Sequence, residues 1–169
     1  MVTYRYKRVL ILGDAGRGKT TFAERLSEKI SIPYYSTDDF YYKVKFTEPN
    51  DKKKSVEEIG RVYAQDKWIV EGTTRRLIRE GLERADIIYL LEFKNVIHQY
   101  FFLISRHFKR TNESLLGLWQ LLKHVTRKKY KKEYANYMPS LHELLEPYKE
   151  KIIKFNFLRE IDQYLESIK

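Results

Sequence analysis

Cysteine is absent from the 169-residue sequence, which excludes disulfide frameworks, thiol catalysis and cysteine-ligated zinc together and leaves the redox compartment open. Long apolar runs are missing as well: none approaches the roughly 20 residues that a membrane span needs. The opening stretch Met1 to Arg8 carries charge where a signal peptide needs apolar residues, so a cytoplasmic protein is the expectation. The four histidines, His98, His107, His124 and His142, stand without ligand spacing, and none is assigned to metal or catalysis. Internal repeats, low-complexity segments and linkers are also lacking. Acid is scarce in one region: between Lys94 and Lys132 there are ten Lys or Arg against one acid, Glu113, so this stretch supplies most of the formal net charge of +10. Such an excess points to an anionic partner, and nucleotides and nucleic acids both qualify.

What is present reads as one globular domain, with 43% hydrophobic and 33% charged residues over a length that buries a core without staples. Arg8 to Leu12 (RVLIL) is a short apolar run ending at Gly13, suited to a buried parallel strand. Phe22, Ala23, Leu26 and Ile30 then fall three and four apart, which predicts a helix over 19–30. Pro33 ends it, and Tyr34-Tyr35 form a brief second strand. Pro49-Asn50-Asp51 is a turn signal before a helix expected from Ser55 to Gln65. Trp68 to Val70 and Asp86 to Phe93 read as strands around a helix from about Thr74 to Leu82. Two helices are expected over 95–108 and 114–134, a shorter one from Pro139 to Glu146, a fifth strand over Lys151 to Phe157 and a closing helix over Glu160 to Ile168. Strands alternating with helices imply a parallel sheet covered on both faces, a three-layer α/β fold.

Gly13-Asp14-Ala15-Gly16-Arg17-Gly18-Lys19-Thr20 matches G-x-x-x-x-G-K-[ST] at every fixed position, with a strand before and a helix after. The glycines let the backbone curl so that successive N–H groups point at phosphate oxygens, and the helix that starts near Lys19 adds its positive end. Lys19 brings a point charge for the β- and γ-phosphates, the Thr20 hydroxyl is placed to ligate Mg²⁺, and Thr21 reaches the α-phosphate. The guanine-reading N-K-x-D and the switch D-x-x-G are both missing, as is a strand ending in a paired acid, which excludes GTPases and motors and leaves a small ATP-dependent kinase.

On GDAGRGKTT at Gly13 to Thr21, the aspartates after strand two and WIVEGTTRRLIREGLERADIIYLLEF at Trp68 to Phe93, the chain resembles adenylate-kinase-like P-loop proteins. That group includes bacterial DNA topology modulation proteins. In addition, Asp38-Asp39-Phe40-Tyr41-Tyr42-Lys43 is similar to the D-D-F-Y-K segment of uridine-type nucleoside kinases. The resemblance implies a P-loop NTPase fold with a five-stranded parallel sheet and a helical lid at about 94–146, using ATP and Mg²⁺ on a nucleoside or nucleotide. It implies that Asp39, or Asp38, accepts the proton of the attacking hydroxyl, and that Arg106 and Arg110, four apart on one helical face, close over the transferring phosphoryl group. Glu71 ends a central strand, where it orients Mg²⁺ through water, contacts the acceptor, or pairs with Arg75 or Arg76; the arginines alternatively bind an acceptor phosphate. The distal cations Lys123, Arg127, Lys128, Lys129, Lys131 and Lys132 are expected to be solvated surface. The other reading of the charge is a nucleotide-dependent regulator that binds nucleic acid.

Overall fold

A computed structural model describes residues 4–44, 48–93, 100, 104, 123 and 139–168. Five strands form one parallel sheet in the order β2-β5-β1-β6-β7, where β1 is Arg8–Gly13, β2 Tyr34–Ser36, β5 Trp68–Glu71, β6 Ile87–Leu91 and β7 Ile152–Phe155. β1 is central, and its alternation splits the core. Val9 and Ile11 face a layer built with Phe22, Ala23 and Leu26 of α1 (Lys19–Ile30) and Ile161 and Leu165 of the C-terminal helix Leu158–Ser167. Leu10 and Leu12 face Ile59, Val62 and Tyr63 of α3 (Lys52–Tyr63) and Leu77, Ile78 and Leu82 of α4 (Arg75–Arg84). Both faces are therefore covered, as the runs of apolar residues in β1 and β6 require. Among the described residues no helix is long and apolar enough to cross a membrane.

Three features differ from the sequence expectation. After Ser36 the chain turns directly into a five-residue helix, α2 (Thr37–Tyr41), with the Ser36 hydroxyl accepting from the Asp38 amide at 3.3 Å. A small antiparallel hairpin follows, β3 (Tyr42–Val44) with β4 (Glu48–Pro49). Helix α3 begins at Lys52 rather than Ser55, because Asp51 accepts from the amides of Lys53 and Lys54, both at 2.9 Å; a residue of the presumed turn is thus the N-cap. Those amides hold the Asp51 carboxyl below the usual carboxylate range.

Beyond the helical stretch expected at 95–134, which lies almost wholly outside the described residues, α5 (Leu141–Leu145) starts at a Ser140–Glu143 capping box. Leu145 is buried in the α3–α4 layer, so the end of the stretch read as a lid packs on the core. A 3₁₀ turn, Glu146–Lys151, leads to β7, and α6 (Leu158–Ser167) closes the fold.

The ends of β2 and β5 are locked together, with Ser36 in register with Glu71. Gly72 has φ 140°, and a Cβ there would lie 1.8 Å from Oγ1 of the fully buried Thr37. Gly72→Ala is expected to cost at least about 1–3 kcal/mol from backbone strain alone, read as a lower urea midpoint at unchanged slope. Thr37→Ala in the same chain should restore only part, because it removes the clash with Oγ1 and not the strain. An unshifted midpoint for Gly72→Ala would contradict this packing.

Candidate active site

The phosphate loop leaves β1 at Gly13, whose φ of 137° and close approach to the β6 backbone exclude a side chain: a Cβ would sit 1.9 Å from the Leu91 carbonyl oxygen. The Asp14 amide donates to that carbonyl at 2.9 Å, and the Asp14 carboxylate accepts from the Phe93 amide at 3.0 Å. Asp14 thus ties the loop to the end of β6. Gly16 and Gly18 take left-handed φ values of 81° and 83°. Gly18 is the N-cap of α1, which has neither a side-chain cap nor an acid in its first turn, so the positive end of a 12-residue helix is open to an anion. Lys19 Nζ donates to the Asp14 carbonyl at 2.9 Å, folded back over its own loop.

Arg17 behaves differently from the rest of the motif. The expectation grouped it with the phosphate loop, whose backbone carries the anion contacts; the residue is 7% exposed, and its side chain donates to the Asn156 carbonyl and lies 4.7 Å from the Phe93 ring centroid. Burial pulls its pKa down, opposed by Glu160 and Asp14. Between two left-handed glycines the side chain turns away from the loop and pins it to the β7–α6 junction. Beside it an open recess of about 500 Å³ is lined by Arg17, Phe157, Leu158, Arg159 and Glu160, with Phe157 52% and Leu158 42% exposed. Sequence reasoning missed this recess; two large apolar residues beside a strand end were the available signal.

On the other side of the loop, the Thr20 hydroxyl donates to Glu71 Oε1 at 3.1 Å, and Glu71 is 5% exposed. This contact, a partner the sequence reading did not name, joins Glu71 to the phosphate loop across 51 positions of chain. Two oxygen donors beside an open anion site fit a hard cation that takes most of its ligands from phosphate and water. Among the described residues no cluster of three or more His, Asp or Glu side chains offers an all-protein metal cage.

Asp38 and Asp39 occupy the first turn of α2, two and three residues past Ser36, which is in register with Glu71. Their charges fall on different neighbours. Tyr34 has its pKa raised first by its hydrogen bond to Glu24 and by burial, and further by Asp39 and Glu71. Tyr42 is raised by burial first and then by Asp38. Asp39 is exposed and Asp38 half-buried in that turn. Arg75, at the start of α4, donates to the Pro139 carbonyl at 2.8 Å. Arg106 and Arg110 lie outside the described residues, as do the distal cations except Lys123, which is exposed.

Comparison with known proteins agrees with this geometry at the level of fold. No family profile matches the chain. An adenylate kinase of Thermotoga neapolitana is 32% identical over 83 residues, which cover 47% of this chain and 37% of that enzyme; the chain thus spans little more than a third of the curated relatives it matches. Among solved structures, a sugar kinase from Janibacter superposes with TM-score 0.53 at 15% identity over 96% of this chain and 91% of that one. A shikimate kinase from Acinetobacter baumannii, solved with shikimate, gives 0.52 at 16% identity over 95% and 91%. The fold is that of the P-loop kinases.

Proposed function

We propose that this chain is an ATP-dependent kinase that transfers the γ-phosphate to a hydroxyl of a small acceptor, nucleoside or nucleotide in class. The observation that carries the reading is the convergence at one sheet edge of the phosphate loop, the Thr20–Glu71 pair and the Asp38–Asp39 turn. Backbone N–H groups from Gly13 to Thr20 and the open end of α1 hold the phosphates, and Lys19 exchanges the Asp14 carbonyl for a phosphate oxygen. Mg²⁺, when bound, neutralises phosphate charge; Thr20 and Glu71 are the residues that would hold it. The Thr21 hydroxyl serves the α-phosphate, and Phe157 with Leu158 offers an apolar face to the base beside Arg17.

The acceptor hydroxyl attacks the γ-phosphorus. A new O–P bond forms, the bond to the ADP oxygen breaks with its electron pair leaving on ADP, and Asp39 takes the hydroxyl proton. Asp38, Glu71 and Arg75 border the acceptor, and Arg106 and Arg110 supply the lid charge that the family resemblance implies. Most of the catalysis then comes from positioning and charge neutralisation. The solved kinase neighbours support the fold from which this reading starts.

The test is a panel of nucleosides and nucleotides with ATP and Mg²⁺, read as ADP formed above the acceptor-free rate. At least one acceptor should raise that rate. A panel with no response, together with a salt-sensitive shift of duplex DNA, would instead favour the nucleic-acid reading of the basic stretch.

A further inference from the structure

Two different strands hold the phosphate loop, one at each side of its turn. At the start, the Asp14 amide donates to the Leu91 carbonyl at 2.9 Å and the Asp14 carboxylate accepts from the Phe93 amide at 3.0 Å, both at the end of β6. At the far side, the Arg17 guanidinium donates to the Asn156 carbonyl just past β7 and lies 4.7 Å from the Phe93 ring centroid. This second anchor is itself fixed, because Glu160 accepts from the amides of Asn156 and Phe157 at 2.7 and 3.0 Å. Gly16 and Gly18 flank Arg17 with left-handed φ values of 81° and 83°. Glycine has the most backbone freedom to lose, and the bond inside the turn, from the Arg17 amide to the Asp14 carbonyl, is long at 3.3 Å. The Arg17 side chain is therefore the main tie on the amides of residues 16–18.

As a source of stability the same side chain is a poor choice. It is 7% exposed, its Nε is buried without a hydrogen-bond partner, and Asp14 and Glu160 act on it through space without a hydrogen bond. Burying a charge that is so incompletely paired is costly, and an apolar residue of similar volume in such a place is often neutral or stabilising. Nor does the guanidinium point at the phosphates, since it is turned to the β7–α6 junction. What it secures is the shape of the turn between the two glycines.

We propose that Arg17 is a positioning residue that pre-shapes the phosphate loop from the β7–α6 junction, so that residues 16–18 are ordered on folding rather than on nucleotide binding. This rests on the phosphate site of the kinase reading and names the residue that prepares it. Preorganisation of this kind raises affinity by removing an ordering cost from the binding step. The effect does not pass through the base: a ligand with phosphates and no base should depend on Arg17 as strongly as ATP does.

The test compares ATP with inorganic tripolyphosphate, each with Mg²⁺, by calorimetry on wild type, Arg17→Met and Arg17→Lys. Arg17→Met should weaken both ligands by the same factor, about tenfold, the change that corresponds to ordering one backbone residue. Arg17→Lys keeps a point charge that can reach toward the Asn156 carbonyl and should recover part of the loss. Without ligand, Arg17→Met should melt no lower than wild type, a combination that a merely structural residue does not give. With an acceptor, KM for ATP should rise about tenfold while kcat at saturating ATP changes little, because bound phosphates order the loop themselves. Weaker ATP with tripolyphosphate unaffected would make Arg17 a contact of the base and overturn the proposal. A melting temperature that falls in step with both affinities would overturn it as well, by making Arg17 a structural residue. Weaker tripolyphosphate in Arg17→Met at an undiminished melting temperature upholds it even if no ADP ever forms. Affinities equal in wild type and Arg17→Met defeat it even if the chain proves to be a kinase, and wild type that binds neither ligand removes both readings.

Discussion

Replacing Lys19 with alanine is expected to remove most of the stabilisation that ATP with Mg²⁺ confers on this protein. A ligand present at one hundred times its Kd stabilises by about 2.7 kcal/mol, which in a chain of this size raises the melting temperature by roughly 5–10 °C. A charge-assisted hydrogen bond contributes about 1.5–3 kcal/mol, so its loss weakens binding roughly 10- to 150-fold. At a hundredfold loss the same ATP concentration gives the variant only about 0.4 kcal/mol, a shift of about 1–2 °C. The loop itself should survive, because it is held by other bonds: the Asp14 amide on Leu91, the Asp14 carboxylate on the Phe93 amide and the Arg17 guanidinium on Asn156. The melting temperature without nucleotide should therefore change little. Equal shifts of wild type and variant across an ATP titration would remove Lys19 from the phosphate site.

Legibility from sequence followed how much of an element's logic is local. β1, β6 and α1 were readable because buried parallel strands are apolar on both faces and α1 repeats its apolar residues at three and four; the five parallel strands emerge as expected. Helix α2 and the β3–β4 hairpin were not. Asp38 to Lys43 has too few residues for a period, and what makes it a helix is the Ser36 cap together with Thr37 packed against Gly72, a contact between two strand ends. The start of α3 slipped by three residues because Asp51 serves equally as turn residue and cap.

The site shows the same division. The glycine turns of the loop are local and were legible, and Gly16 and Gly18 take the left-handed conformation; the hydrogen bond between Thr20 and Glu71 joins positions 51 apart and only the β1–β5 pairing supplies it. The side-chain role of Arg17 was not legible for the same reason, since its burial depends on Phe93 and Asn156 at the ends of two other strands.

Asp39→Asn is expected to lower kcat by about 10²- to 10⁴-fold, the range that a positioned general base contributes, while leaving the ATP-induced melting shift and KM for ATP nearly unchanged. The amide preserves the shape of the carboxylate and cannot take the hydroxyl proton. Asp38→Asn is the matched control. Both residues sit in the first turn of the same five-residue helix, so each substitution removes a similar helix-end interaction and any shared cost to α2 appears in both variants. The difference between them isolates chemistry. Asp39 is the more exposed of the two, open to a bound acceptor, and it is the residue to which the nucleoside-kinase resemblance assigns the hydroxyl proton. Turnover measured with saturating ATP should therefore separate the variants by at least roughly tenfold, with Asp39→Asn the slower. The reverse order would move the base to Asp38 and turn the acceptor toward the hairpin. Turnover unaffected in both would end the comparison with nucleoside kinases, because α2 carries no other carboxylate.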